Sequence, residues 1–128
     1  MATILIADDE PHVIRVLKVT LEREGYTVQT APNGEAALAR IHHDQPDLLI
    51  SDIQMPRLSG EQLCARIATE FPARRFPIVI MTSMTFVNET HWSRQYLNLV
   101  LLEKPISMQR LLPLIRDLLV TAPVAQAG

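Results

Sequence analysis

The sequence has only one cysteine among its 128 residues, Cys64. A single cysteine cannot form an internal disulfide bond, so we expect a reducing, cytoplasmic setting. The N-terminal residues lack the basic segment and the long apolar stretch of a signal peptide. No window approaches the roughly 20 consecutive apolar residues that a membrane-spanning helix needs, so we expect no membrane association.

Runs of basic residues are also missing. The chain has 12 basic and 14 acidic residues, and its formal net charge is −2. Proteins that bind nucleic acid present a basic surface to the phosphates, so we do not expect this chain to bind nucleic acid by itself. It also lacks the GxxxxGK[ST] loop that holds nucleotide phosphates, which makes ATP a poor candidate for a direct substrate.

The length and composition fit one globular domain. The sequence is 48% hydrophobic and 20% charged, so it can build a core and is not disordered by composition. We predict that the domain covers residues 1–121. Residues 122–128 show no periodicity and are predicted to form a disordered tail.

Four short runs rich in isoleucine, valine and leucine do not alternate with polar residues. This pattern predicts strands that are covered on both faces, as in a parallel sheet. A fifth run, Tyr26 to Ala31, alternates more and is predicted to be an edge strand. The four covered runs are Ile4 to Ala7, Asp47 to Ser51, Pro77 to Met81 and Leu99 to Leu102.

Segments of helical period lie between these strands. The alternation of strands and helices implies right-handed crossovers and a doubly wound α/β domain, in which ligands bind beyond the carboxyl ends of the strands. The predicted helices run from Pro11 to Gly25, from Gly34 to His43, from a capping box at Ser59, from about Asn88 to Asn98, and onward from Ser107.

Polar side chains follow each of the four covered strands. The residues concerned are Asp8 and Asp9, Asp52, Thr82 and Ser83, and Lys104 with Pro105. Three carboxylates at one edge repel one another, by roughly 4 kcal/mol per pair at about 4 Å and an effective dielectric constant near 20. Lys104 leaves this group with two negative charges, which a divalent cation would neutralise. Oxygen ligands favour a hard ion such as Mg²⁺ over zinc.

These groups together predict a phosphoryl-transfer site. Mg²⁺ usually keeps some water and shares its shell between a few carboxylates and phosphate oxygens, while lysine and threonine donate to the remaining oxygens. An aspartate can accept phosphate as an acyl phosphate, and Asp52 is the natural nucleophile because it is central in the set.

With this arrangement, the chain resembles the receiver domain of two-component response regulators over essentially its whole length. The matching elements are the acidic pair after the first strand, Asp52 at the head of DIQMPRLSG, Thr82, and Lys104 with Pro105. The resemblance is to single-domain receivers of the chemotaxis type. It implies a flavodoxin-like, five-stranded parallel sheet in the order 2-1-3-4-5, with helices on both faces.

The resemblance also implies the partners and the metal ligands. A histidine kinase or a histidine phosphotransfer protein would phosphorylate Asp52. Asp9, Asp52 and the backbone carbonyl of Gln54 would bind Mg²⁺, and Asp8 would act mainly through water. Such a protein catalyses only its own phosphoryl transfer and dephosphorylation, so we do not expect an enzyme with an external substrate.

The resemblance also implies a second set of residues that bind the phosphoryl group and change the shape of the domain's surface. Lys104 would pair with the phosphoryl group beside Ser83, and its bond to Pro105 is a candidate cis peptide. Movement of Thr82 would reshape the surface formed by the fourth helix, the fifth strand and the last helix, and so control a downstream partner. Family members commonly carry an aromatic residue where this chain has Leu101, so an aromatic rotamer switch is not expected.

Two other functions remain open at this point. One is a receiver-like interaction module that no longer depends on phosphate. The other is a phosphatase resembling the haloacid dehalogenase family, which uses a second acid two residues after the nucleophile, where this chain has Gln54. Taken singly, each residue also has a plainer explanation: Asp9 could cap a helix and Lys104 could be a solvated lysine.

Overall fold

The computed structural model of the protein describes residues 2–83 and 91–127. Strands and helices alternate along these residues, and a short 3₁₀ helix precedes the last strand. The elements are β1 (Thr3–Ala7), α1 (Pro11–Arg23), β2 (Thr27–Ala31), α2 (Gly34–His43), β3 (Leu48–Asp52), α3 (Gly60–Glu70), β4 (Ile78–Thr82), the 3₁₀ helix (His91–Gln95), β5 (Leu99–Glu103) and α4 (Met108–Ala127).

The five strands form one sheet in the order β2-β1-β3-β4-β5, and every pairing is parallel. Helices α2 and α3 pack against one face, and α1 and α4 pack against the other. The doubly wound fold and the strand order expected from the resemblance are therefore confirmed. Strand order reverses between β1 and β3, which is where such sheets bind ligands.

The three central strands supply side chains to two separate apolar clusters. In β1, Leu5 and Ala7 pack under α2 and α3, whereas Ile4 and Ile6 pack under α1 and α4. This division follows from the two-residue period of a strand. All residues of β3 and β4 are buried, so the prediction of strands covered on both faces is confirmed for the centre of the sheet.

The same prediction is wrong for β5. Leu101 and Glu103 are exposed in this strand, and its other three residues are only half-buried. The reason is its position, because β5 has a strand neighbour on one side only and lies at the edge of the sheet. An uninterrupted apolar run does not reveal this, since it looks the same in an edge strand and in a central one.

Helix α1 buries fewer of its apolar side chains than the sequence suggests. Leu17 and Leu21 are fully buried, and Val13 is half-buried, but Val16 is 54% exposed. Successive residues of a helix are separated by about 100°, so Val16 lies well off the line through Leu17 and Leu21. The helical pattern of the sequence places Val13, Val16, Leu17 and Leu21 on one buried face, and this prediction is wrong for Val16.

The start of α3 has the capping box that the sequence predicts. The Ser59 hydroxyl accepts from the Gln62 backbone amide at 3.2 Å, and the Ser59 amide donates to the Gln62 side-chain oxygen at 2.9 Å. These reciprocal bonds satisfy two amides that a helix N-terminus would otherwise leave free. They also fix the first turn of α3 beside the end of β3.

The helix predicted from Asn88 to Asn98 lies partly outside the described residues. Within them, residues 91–95 form a 3₁₀ helix, and Asn98 has a φ of 56°. Asparagine is among the non-glycine residues that tolerate this left-handed conformation best, so it allows a turn before β5 without a glycine. Trp92 is buried and packs edge-on against Tyr96 at 6.1 Å between ring centroids, so it is a packing residue.

The last helix, α4, begins at Met108 as the sequence suggests and includes Pro113. Its backbone continues through residues 122–127, which the sequence pattern assigned to a disordered tail. The domain boundary at residue 121 stays a prediction. Within the described residues, no helix combines the length and the apolar character needed to cross a bilayer.

Candidate phosphoryl-transfer site

The parallel sheet brings the polar ends of four neighbouring strands to one edge. Asp8 follows β1, Asp52 ends β3, Thr82 ends β4, and Lys104 follows β5. Asp8, Asp52 and Thr82 are buried, although they carry polar side chains. Burying polar groups costs free energy unless they form hydrogen bonds or ion pairs. A buried polar cluster of this kind therefore indicates a functional site.

Lys104 faces three carboxylates at once. Its Nζ lies 3.2 Å from Oδ1 of Asp52, 3.7 Å from Oε1 of Glu10 and 4.0 Å from Oδ2 of Asp8. Burial lowers the pKa of Lys104, but the carboxylates of Asp52, Asp8 and Glu10 outweigh burial, and the net effect is a raised pKa. The lysine is therefore a fixed positive charge at this edge of the sheet.

Three acidic side chains are close enough to share one cation. Among the described residues, ligand atoms of Asp8, Glu10 and Asp52 all lie within 4.8 Å of one another. Sequence reasoning named Asp8, Asp9 and Asp52 and missed Glu10 as a further acid of the site. The signal was present, because Glu10 is the third acid of the ADDEP segment and directly precedes the proline that begins α1.

Asp9 and Gln54 lie at the mouth of the same site. Both line a polar cavity of about 240 Å³ together with Glu10, Asp52, Ile53, Ser83 and Lys104. Asp9 is exposed and is not part of the group of three acids found among the described residues. The roles of Asp9 and of the Gln54 carbonyl as Mg²⁺ ligands stay predictions.

The two carboxylate oxygens of Asp8 differ in their hydrogen bonding. Its Oδ1 accepts from the Glu10 amide at 2.9 Å, whereas its buried Oδ2 has no hydrogen-bond partner among the described residues. Burial is the main cause that raises the pKa of Asp8 to about 6; the Glu10 amide opposes it. A buried carboxylate oxygen without a donor is suited to a hard cation, so the donor set fits Mg²⁺.

Asp52 is held in place by its neighbours. Its Oδ1 accepts from the Ile53 amide at 2.8 Å and lies next to the ammonium group of Lys104. Burial nevertheless raises the pKa of Asp52 above the ordinary value, and Lys104 only partly offsets this. The carboxylate of Asp52 is therefore held beside the Lys104 ammonium at the end of β3, a placement that suits a nucleophile.

Two glycines fix the loop that follows Asp52. The Gly60 amide donates to the Ile53 carbonyl at 2.8 Å, and a Cβ at Gly60 would lie 2.6 Å from the Asp52 carbonyl oxygen. A Cβ at Gly34 would lie 2.3 Å from the Leu58 carbonyl oxygen. Both distances are impossible for real atoms, so the helix N-termini can approach this loop only because these residues have no side chain.

The ends of β4 and β5 are tied together beside the site. The Lys104 amide donates to the Thr82 carbonyl at 2.7 Å, and the Thr82 hydroxyl donates to the Ser83 carbonyl at 3.2 Å. The Lys104-Pro105 peptide is cis, as the resemblance suggested. Leu101 lies opposite Ile80 in the strand register and is 37% exposed.

A second, apolar cavity adjoins the site. Its volume is about 450 Å³, and Glu10, His12 and Lys104 share its lining with apolar residues. The apolar lining residues come from α1 and from the segment after β5; they are Val13, Val16, Leu17, Pro105, Ile106 and Met108. The exposed Val16 therefore faces a concave surface beside the acidic cluster.

Asp8 is expected to make the metal-free protein less stable as the pH rises from about 4 to 6. The pKa of Asp8 is about 6 in the folded state against 3.8 ordinarily. Between these values the folded state holds the proton more often than the unfolded chain does, so the free energy of unfolding falls, by at most about 3 kcal/mol. Urea unfolding in EDTA at several pH values measures the loss, which Asp8→Asn should reduce. An unchanged pH profile in this variant would contradict the assignment.

Comparisons with known proteins agree with this geometry. The family model described as "Response regulator receiver domain" matches residues 4–116. Response regulator GtcR from Aneurinibacillus migulanus is 46% identical over 81 residues, which cover 63% of this chain and 32% of that protein. The chain thus spans about a third of the length of this relative and of PhoP from Bacillus subtilis.

Other relatives match over nearly their full length. Protein PilH from Pseudomonas aeruginosa is 31% identical over 119 residues, covering 93% of this chain and 98% of PilH. The crystal structure of response regulator TrrA from Thermotoga maritima, in complex with Mg²⁺-BeF, superposes with a TM-score of 0.78 at 31% identity. The superposition covers 92% of this chain and 99% of TrrA.

Proposed function

The chain belongs to the response regulator receiver domain family, and from this premise we propose that it is a signalling switch that accepts a phosphoryl group on Asp52. The single observation that carries the proposal is the position of this side chain. Asp52 lies buried at the end of a central strand, 3.2 Å from the Lys104 ammonium and within reach of two further acids.

We further propose that Mg²⁺ serves as the cofactor. Asp8, Glu10 and Asp52 provide carboxylate oxygens, the Gln54 carbonyl and Asp9 border the same cavity, and the buried oxygen of Asp8 suits a cation. When bound, Mg²⁺ would offset negative charge on the transferring phosphoryl oxygens. The complex of TrrA with Mg²⁺-BeF supports this choice by analogy with a relative.

In the proposed reaction, a carboxylate oxygen of Asp52 attacks the phosphorus atom of a phosphohistidine on the donor protein. A bond between phosphorus and the Asp52 oxygen forms, and the bond between phosphorus and the histidine nitrogen breaks. The freed histidine keeps the electron pair and takes a proton from solvent. Lys104, already beside Asp52, would pair with the phosphoryl oxygens, because transfer spreads charge over these oxygens.

The proposed output is a change in the surface formed by the region of the predicted fourth helix, where the 3₁₀ helix lies, together with strand β5 and the last helix, α4. Thr82 would turn toward the phosphoryl group and lose its present bond to the Ser83 carbonyl. Leu101 is exposed in the adjacent strand, so the change would repack an aliphatic surface rather than move an aromatic ring. A downstream protein that binds this surface would then distinguish the two states.

The donor would be a sensor histidine kinase or a histidine phosphotransfer protein, and the apolar cavity beside Lys104 offers it a docking surface. Receiver domains are signalling modules, and we propose that this chain acts only on its own aspartyl phosphate. A cytoplasmic location remains a prediction from the single cysteine. A haloacid dehalogenase-like phosphatase is not favoured, because Gln54 borders the cavity where that reaction needs an acid.

The test is labelling with acetyl phosphate and Mg²⁺, followed by intact-mass and peptide analysis. We expect one phosphoryl group, on Asp52, and none in the Asp52→Asn variant or in EDTA. Asp44→Asn is the matched control, because Asp44 is exposed at the end of α2, and this variant should be labelled like wild type. A label on another residue, or turnover of an external phosphomonoester, would refute the proposal.

A further inference from the structure

We propose that the negative charge of Glu10 strengthens Mg²⁺ binding and slows phosphoryl transfer to Asp52, an inference that rests on the proposed function. Its side chain spans the site: Oε1 lies 3.7 Å from the Lys104 ammonium, and Oε2 lies 3.7 Å from Nε2 of His12. It also belongs to the group of three acids that could share a cation.

The backbone holds Glu10 at this place. Its amide donates to Oδ1 of Asp8 at 2.9 Å, and its carbonyl accepts from the amides of Val13 and Ile14 at 3.1 and 3.2 Å. The side chain is half-exposed, so packing does not dictate its direction. The positive charge of Lys104 favours a carboxylate that points into the site.

The negative charge of Glu10 should favour the binding of Mg²⁺ and oppose the approach of the phosphoryl group. Three carboxylates and one ammonium leave two negative charges, which one divalent cation neutralises. Glu10 thus strengthens Mg²⁺ binding. The same negative charge repels the incoming phosphoryl donor and the doubly charged group on Asp52. Glu10 would also hold Lys104 partly away from the phosphoryl oxygens.

An independent observation supports a cation at this place. The Oδ2 atom of Asp8 is buried and has no hydrogen-bond partner among the described residues, and the Lys104 ammonium lies 4.0 Å from it. Lys104 stands nearer to Asp52 and Glu10 than to this atom. The ammonium therefore does not satisfy all three acids, and Glu10 competes with Asp8 for it.

The test compares wild type with Glu10→Gln in two measurements on the full chain. Calorimetry with Mg²⁺ alone should give a dissociation constant about tenfold higher in the variant. At saturating Mg²⁺, the initial rate of labelling by acetyl phosphate should rise about threefold, because less negative charge opposes the donor. If Glu10 served only to stabilise the fold, Glu10→Gln would weaken Mg²⁺ binding and also slow labelling.

The matched control is Glu24→Gln, which removes the same charge from an exposed residue at the other end of α1. This variant should keep the Mg²⁺ dissociation constant and the initial labelling rate within twofold of the wild-type values. Unchanged Mg²⁺ affinity in Glu10→Gln, or a slower rate at saturation, would overturn the inference while leaving the proposed function intact. Failure of wild type to take up phosphate would refute the proposed function, and the calorimetry would still test Glu10.

Discussion

Replacing Lys104 with methionine is expected to slow phosphorylation of Asp52 about 100-fold at saturating Mg²⁺. The ammonium lies 3.2 Å from Oδ1 of Asp52, so it is already close to the place where the phosphoryl oxygens would lie. Methionine keeps most of the apolar stem of lysine but removes the charge. The measurement is the initial rate of labelling by acetyl phosphate over a range of Mg²⁺ concentrations.

The matched control is the same substitution at Lys18, the other lysine in the sequence. Lys18 lies on α1 and pairs with Glu22 at 2.6 Å, away from the strand ends. Lys18→Met should be labelled at the wild-type rate. If Lys104→Met is folded by circular dichroism and labelled within threefold of wild type, Lys104 does not stabilise the transition state.

The second large effect is expected from Gly60→Ala, which should lower the free energy of unfolding by about 3 kcal/mol. The added methyl group would meet the Asp52 carbonyl oxygen at 2.6 Å and the Ile53 Cα at 2.9 Å. Both are backbone atoms that cannot rotate away. Alanine is the better helix former by about 1 kcal/mol, and this gain is too small to offset the overlap.

Urea unfolding measures the predicted loss, and labelling of the folded fraction measures its effect on Asp52. Because relief of the overlap must move α3 or the end of β3, we expect slower labelling as well as lower stability. Glu61→Ala, at the exposed next position of α3, is the control and should change stability by less than about 0.5 kcal/mol. Wild-type stability in Gly60→Ala would mean that the close approach of α3 is not essential.

Much of the site could be predicted because the sheet is parallel. Once ILIA and DLLIS are identified as buried strands, Asp8 and Asp52 must lie at the same edge, since parallel strands share a direction. Periodicity does not give the order of the strands. That order came from the resemblance, which rests on the spacing of Asp8, Asp52, Thr82 and Lys104.

What could not be predicted depends on position within the fold. Val16 and Leu101 are apolar residues in apolar segments, yet both are exposed, because one lies off the buried stripe of α1 and the other lies on an edge strand. Naming Glu10 as a site residue in addition to Asp8 and Asp9 required the direction of its side chain at the start of α1. Adjacent acids in a sequence do not show which of them turns toward the strand ends.

The two apolar clusters on either side of the sheet set the distance over which the electric field of a charge on Asp52 acts. Fields decay less in such a medium than in water, and dissolved ions do not enter it. Added salt should therefore weaken the long-range attraction between this edge and a charged partner, which acts through solvent. The influence of the same charge on the neighbouring strands β1 and β4 should change much less.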